Sequence, residues 1–290
     1  MNITAAMVKE LREKTGAGIM DAKKALAEND GDMEKAMEFL RQKGIASAEK
    51  KMGRIAAEGL VGSYVEGNVG AIIEVNCETD FVAKNEEFKQ LVENLAKQVV
   101  AIKPANVEEL LASTCTVCGC GKKIEDIIKE KVATIGEKIT VRRFDIVEGN
   151  PATYIHNGKI GVLLNTDCAD EALEKDICLH IASNAPEFVS REEIPQSVID
   201  EETRIEMGKE DLAKKPENIR AKIVEGRINK LMASRCLLEQ PFVKNPDQTV
   251  AQLVEGKLNV KCFIRYVLGE GLEKRQDNFA EEVANQMAGN

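Results

Sequence analysis

Apolar residues recur at helical spacing through the first 44 positions of the chain. Met7, Val8 and Leu11 make one stripe, with Thr4 placed to cap it. Ile19, Ala22 and Leu26 make a second. Met33, Ala36, Met37 and Leu40 make a third, which Asp32 caps. Thr15-Gly16-Ala17-Gly18 and Asn29-Asp30-Gly31 separate the stripes, and Gly44 is expected to stop the third helix. Three helices in 44 residues form a minimal bundle with a thin core, a module suited to binding other proteins rather than to catalysis. A basic stretch, Lys50-Lys51-Met52-Gly53-Arg54, leads from it to the main body.

Beyond the bundle the pattern repeats itself. Tyr64 to Cys77 and Tyr154 to Cys168 each read as a strand, a Gly/Asn turn and a second strand, the signal of a β-hairpin. An amphipathic helix follows each hairpin, with Phe88, Leu91, Leu95 and Val99 in the first copy and Leu173, Ile177 and Ile181 in the second. A helix over Ile124 to Val132 and a strand over Ile139 to Val147 complete the first copy. A short helix over Val250 to Val254 and a strand over Val260 to Val267 complete the second. Glu148-Gly149 and Glu270-Gly271 follow the two closing strands. The body therefore reads as a duplicated β-β-α-α-β unit, each copy a three-stranded antiparallel sheet backed by helices, in the α+β class.

The second copy carries an insertion at about residues 197–235, highly charged, with apolar Ile205, Leu212, Ile219, Ile223, Ile228, Leu231 and Met232. Lys214-Lys215-Pro216 interrupts it, and proline suits the start of a helix because its missing N–H is not needed there. An antiparallel helical hairpin is expected. The modules are then a bundle and linker over 1–55, a first core subdomain over 56–149, a second over 150–270 with its insertion, and a C-terminal helical segment over 271–290 bearing Leu272, Phe279, Val283 and Met287.

Composition narrows the function. The formal net charge is −9 and the basic runs are short and scattered, so no continuous face is available to neutralise phosphates. Tryptophan is absent and aromatics make up 4%, which leaves little to stack single strands. Direct nucleic-acid binding is not expected. No run of about 18 apolar residues is present to span a membrane, and Met1-Asn2-Ile3-Thr4 lacks the basic-then-apolar pattern of a signal peptide. A cytoplasmic protein is expected, with its eight cysteines as free thiols or metal ligands rather than disulfides.

Catalytic patterns are missing. His156 and His180 form no metal-binding pair, and neither a phosphate loop nor a nucleophile elbow occurs. Cys115, Cys118 and Cys120 place three thiols within six residues, enough to grip a soft metal. A structural zinc site wants four ligands, and no second pair lies at finger spacing. The segment also falls opposite Pro241 to Pro246 of the second copy, an ordinary turn. No metal or cofactor is therefore assigned, and these cysteines stand as candidate ligands beside the reading of a decorated loop. The other five, Cys77, Cys168, Cys178, Cys236 and Cys262, are expected to act as small buried hydrophobes.

Several segments, taken together and in order, resemble the bacterial elongation factor Ts family. They are Val8 to Leu26, Glu74 to Asn85, His180-Ile181-Ala182, Gln240 to Val243, and Arg265 to Gly271. The resemblance covers essentially the whole chain and implies that the first bundle is ubiquitin-associated-like. It implies a non-enzymatic guanine-nucleotide exchange factor for elongation factor Tu, binding that partner both GDP-bound and nucleotide-free. In the family, the segment matching Thr79-Asp80-Phe81-Val82 approaches the partner's Mg²⁺ site, and its phenylalanine wedges between two partner helices. The resemblance also makes Arg12, Met20 and Lys23 contacts to the GTPase domain. It makes His156 a contact to a helix leading to the phosphate loop, and the C-terminal segment a docking element. From the residues alone, Phe81 and Met20 have a second reading as core, and Arg12, Lys23 and His156 as solvated surface. The cysteine cluster departs from the family pattern, and Ala22 stands where many relatives carry cysteine. Two other functions remain open to the sequence: a plain binding module using the 1–44 bundle, and a metal or redox enzyme using the cysteine cluster.

Overall fold

The computed structural model describes residues 3–213 and 215–273. Helices α1 (Ala5–Thr15), α2 (Ile19–Glu28) and α3 (Met33–Lys51) come first. The Thr4 hydroxyl accepts from the Met7 N–H and Asp32 accepts from the amides of Glu34 and Lys35, so both expected caps form. Leu11, Ala22, Ala25, Leu26 and Ala36 make a small buried core, against which Met7, Val8, Met33, Met37 and Leu40 pack. Small side chains at its centre let the helices approach closely, which explains how so short a bundle closes.

The third helix does not stop at Gly44. It runs on to Lys51 and packs on a later helix, α7 (Ile124–Ile135). A Cβ at Gly44 would lie 2.8 Å from the Ala133 Cβ, so this glycine permits close helix contact rather than ending the helix. The missing side chain signals proximity, a property of the partner helix that no local pattern reveals.

The repeat folds as two three-stranded antiparallel sheets. In the first copy β1 (Glu58–Glu66) and β2 (Val69–Cys77) form the hairpin. Helices α4 (Asp80–Lys84), α5 (Glu86–Ile102), α6 (Val107–Ala112) and α7 follow, and β3 (Thr140–Glu148) completes the order β1-β2-β3. In the second copy β4 (Asn150–His156) and β5 (Ile160–Thr166) form the hairpin, α8 (Glu171–Asn184) follows, and a closing strand completes the sheet. Before that strand come helices α9 (Gln196–Met207), α10 (Glu210–Ala213) and α11 (Glu217–Arg235), the short pair β6 (Pro241–Phe242) and β7 (Asn245–Thr249), and helix α12 (Val250–Val254). The closing strand is β8 (Val260–Val267), giving the order β4-β5-β8. This is the α+β architecture expected from the duplicated pattern. No helix among the described residues is long and apolar enough to cross a membrane.

Internal contacts divide the chain into two compact units. Of the described residues, one holds those up to Gly62, Ile73–Phe144 and 267–273; the other holds Ser63–Ile72 and those within Asp145–Tyr266. Every residue of β2 is buried, including a carboxylate, Glu74, which belongs to the first unit. Arg142 Nη1 donates to it at 2.9 Å, Arg143 Nε at 2.7 Å and the Gly269 N–H at 2.8 Å. Burial pushes this carboxyl's pKa up, but the Gly269 amide and the two guanidinium groups outweigh it and hold it below the ordinary value.

In the second unit α8 packs on β4 and β5 around Val162, Leu164, Ile177 and Ile181. Buried His180 accepts at Nδ1 from the Val243 N–H at 3.1 Å, so its Nε2–H donates to Gln240 Oε1 at 2.8 Å. The ring is thereby held neutral. The insertion has a core of its own: α9 packs on α11 around Leu212, Val224, Ile228 and Met232. Ile205 and Ile219, assigned to the same apolar stripe, are exposed.

Cys77, Cys178 and Cys236 are buried as expected, whereas Cys168 and Cys262 are exposed. Cys262 and its neighbour Lys261 are the exposed residues of β8, and Cys168 lies just past the end of β5, donating to the Lys257 carbonyl. An apolar neighbourhood in sequence does not by itself bury a residue. The expected C-terminal helical segment lies almost wholly outside the described residues, including Phe279, Val283 and Met287, and so does Lys214.

Two outcomes follow from these buried polar groups. Glu74→Ala leaves two guanidinium groups and an amide without their shared acceptor. Arg142 and Arg143 keep 24% and 31% of their side-chain surface in water, so the expected loss is roughly 3 kcal/mol, the low end for a broken buried ion pair. Urea unfolding measures it. Burial pushes the His180 pKa down, with the Gln240 bond opposing in part. The unfolded chain therefore takes up this proton first as pH falls below about 6.5, and stability is lost toward the depressed folded value. A pH series of urea midpoints is expected to show that slope in the parent chain and not in His180→Gln.

Candidate partner-binding site

The Thr79–Val82 segment sits where the buried strand β2 gives way to helix α4. Its conformation is set by two acidic side chains that cross. Glu137, the residue after the C-cap Gly136 of α7, accepts from the Thr79 N–H at 2.9 Å, the Glu78 N–H at 3.1 Å and the Thr79 hydroxyl at 2.6 Å. In return Glu78 accepts from the Lys138 N–H at 2.7 Å and from Arg54 Nη1 at 3.2 Å. The Thr79 hydroxyl also caps α4, accepting from the Val82 N–H. Beneath the corner lies Cys77, its thiol pKa pushed up to about 12 by burial and then by the nearby Glu137 charge. That thiol is inert at neutral pH and serves as packing.

With its backbone tied on both sides, α4 turns Ala83 inward and Phe81 outward. Ala83 is buried, while Phe81 is 80% exposed. The Phe81 ring's near neighbour is Lys84, whose ammonium sits 5.9 Å from the ring centroid and pairs with Asp80 at 2.6 Å. Asn85 then caps α5, accepting from the Glu87 N–H, so the chain turns at once into the long helix that covers the sheet. Phe88 of that helix is fully buried. Two phenylalanines seven positions apart thus have opposite fates, decided by which helix carries them. The reading of Phe81 as a core residue under its own helix does not hold.

On the bundle, Met20 is 76% exposed beside an exposed Ile19, and Arg12 and Lys23 are exposed as well. The reading of Met20 as bundle core also fails, because Ala22, Ala25 and Leu26 fill that role. These bundle residues and the Thr79–Val82 corner belong to the first unit. His156 belongs to the second, at the end of β4 in the hairpin turn. It is exposed, with Nδ1 3.0 Å from the Tyr154 hydroxyl and Nε2 3.3 Å from the Asn157 amide. The ring is thus steadied by its own hairpin while its outer face stays open.

Cys115, Cys118 and Cys120 converge on the loop between α6 and α7. Their ligating atoms all lie within 4.8 Å of one another. Cys115 is buried and the other two are exposed.

The sequence model of the elongation factor Ts family matches residues 78–270. The chain belongs to the elongation factor Ts family. The match covers well over half of the chain and takes in Thr79–Val82, His156 and the cysteine loop; Arg12, Met20 and Lys23 lie before it. Membership brings a nucleotide-exchange role in translation elongation, with elongation factor Tu as the family's partner. A nucleotide-exchange factor is not a catalytic enzyme in the usual sense.

Glu137 is the residue that sequence reasoning missed. It lies 58 positions from Thr79, and a glutamate after a helix-ending glycine carries no local mark of a long-range role. Glu137→Ala removes three hydrogen bonds at the corner and strands two amides. A loss of roughly 1–3 kcal/mol is expected, together with faster hydrogen exchange at the Thr79 amide. An unchanged exchange rate there would mean that Thr79 holds the corner without Glu137.

Proposed function

We infer that this chain releases GDP from elongation factor Tu by driving the exposed Phe81 corner into the partner near its Mg²⁺ site. The observation that carries the reading is the Phe81 ring, 80% exposed on a corner clamped from both sides. A large apolar side chain held in water by its own backbone anchors is suited to burial in another protein. In this reading Thr79, Asp80 and Val82 accompany the ring, and Asp80 lies close to the partner's ion. Arg12, Met20 and Lys23 engage the GTPase domain, and His156 touches a helix that leads to its phosphate loop. The working modules are residues 1–55, 56–149, 150–270 with the insertion at about 197–235, and 271–290. The chain works in the cytoplasm, on GDP-bound and nucleotide-free partner, with no nucleic acid or membrane of its own to bind.

Magnitudes set what one ring can do. Burying a phenylalanine is worth roughly 1.5–3 kcal/mol, and each factor of ten in affinity takes about 1.4 kcal/mol. The ring alone then weakens nucleotide binding by roughly tenfold to a hundredfold, and stronger exchange needs the other contacts. Coupling is reciprocal, so GDP weakens the grip of this chain by the same equilibrium factor. Displacing Mg²⁺ adds to the effect because the ion neutralises clustered phosphate charge.

Stopped-flow release of a fluorescent GDP from elongation factor Tu tests the reading. The parent chain is expected to accelerate release. Phe81→Ala is expected to cut that acceleration by roughly tenfold to a hundredfold without lowering the urea midpoint, since the ring supports no core. Equal rates for parent and variant would remove the wedge. Binding by the N-terminal bundle with no effect on GDP release would instead favour a plain protein-binding module.

A further inference from the structure

We propose that Cys115, Cys118 and Cys120 bind a zinc ion through three thiolates, leaving one coordination position open to solvent or to an external ligand. The three sulfurs form a chain of close contacts, Cys118 Sγ lying 2.8 Å from Cys115 Sγ and 2.6 Å from Cys120 Sγ. Burial explains Cys77, Cys178 and Cys236, and Cys115 is buried too, but Cys118 and Cys120 are exposed, so packing does not account for those two. Chance does not explain the convergence either, because the loop that carries them is built.

The loop is closed at its base by an antiparallel bridge between Thr114 and Lys123, with the Cys115 N–H donating to the Lys122 carbonyl at 2.8 Å. Gly119 and Gly121 both take positive φ, at 61° and 68°, which lets the chain fold back around the sulfurs within a few residues. The Cys118 N–H points at Cys115 Sγ at 3.3 Å. This bond holds Cys115 Sγ on the side of the loop where Cys118 turns back. Beneath the loop, buried Gln98 of α5 acts as a brace. Its Nε2 donates to the Thr114 carbonyl at 2.9 Å, and its Oε1 accepts from the Thr116 N–H and hydroxyl, each at 2.9 Å. A fully buried amide spent on fixing an otherwise exposed loop pre-orders the sulfurs before any ion arrives.

The donor set selects the ion. Three thiolates favour a soft or borderline cation, and zinc accepts sulfur ligands at about 2.3 Å in a tetrahedron. That geometry places neighbouring sulfurs about 3.8 Å apart, so Cys118 Sγ moves about an ångström away from each of the other two when the ion enters. Side-chain rotation of the two exposed cysteines supplies the movement. Among the described residues no fourth His, Cys, Asp or Glu joins the group, which leaves the last position open. Each sulfur–zinc bond replaces a thiol proton, which leaves to solvent.

The test uses the full chain, reduced, equilibrated with zinc, desalted and assayed for metal by mass spectrometry and by release to a chromophoric chelator. One zinc per chain is expected, and cobalt in its place is expected to give a thiolate-to-cobalt charge-transfer band. Cys118→Ser and Cys120→Ser, both at exposed positions, are expected to weaken retention at least tenfold. Cys168→Ser and Cys262→Ser, at exposed thiols elsewhere in the chain, are expected to retain it fully. No zinc in the reduced chain, or retention undiminished by Cys118→Ser and Cys120→Ser, would overturn the site. So would a chain that holds copper(I) and not zinc, or one in which Cys118 and Cys120 are found joined as a disulfide after purification under reducing conditions.

Discussion

A phenylalanine ring in water is unfavourable wherever the chain can fold it inward, and here the backbone forbids that. Glu137 holds the amides of Glu78 and Thr79, and Glu78 holds the amide of Lys138 in exchange. The two segments that trade these bonds are the exit of β2 and the entry to β3, adjacent strands of one sheet. The corner thus inherits the rigidity of the sheet. Ala83 takes the buried, inward position of α4 while the ring stays in solvent. In the proposed wedge, preorganisation of this kind lowers the ordering cost on binding, because the ring needs no new backbone geometry.

The same unit is tied together by a buried charge. Glu74 lies on a strand with no exposed residue, yet it is fully satisfied by two arginines of β3 and an amide beyond β8. Two of the segments that carry the family resemblance, Glu74 to Asn85 and Arg265 to Gly271, meet at this carboxylate. Their joint presence in the sequence has a physical cause: removing either side leaves a charge or a donor stranded in the interior. His180 and Gln240 do the same for the second unit, joining two other resembling segments, though with a neutral ring in place of a charge.

The two copies of the repeat share a frame and differ in what fills it. Where the second copy turns through the β6–β7 pair, the first turns through the cysteine loop, closed by an isolated bridge and braced by Gln98. The second copy also accommodates α9 to α11, which bring their own apolar core and so need little from the sheet they interrupt. Both additions fall in connections between elements, where chain length changes at small entropic cost.

Hydrophobic periodicity by itself determined the three-helix start, both hairpins, the packing helices and the closing strands, because a buried face imposes its spacing on local sequence. The segments of the family resemblance likewise pointed to Thr79–Val82. Tertiary structure decided the rest. It decided that Gly44 lies inside a helix, because the reason for that glycine is Ala133 on another element. It placed Cys168 and Cys262 in solvent. It turned Phe81 outward and Phe88 inward, and it brought Glu137 to Thr79 across 58 positions. Each of these depends on which surfaces meet, and a contact between distant segments leaves no period in either one.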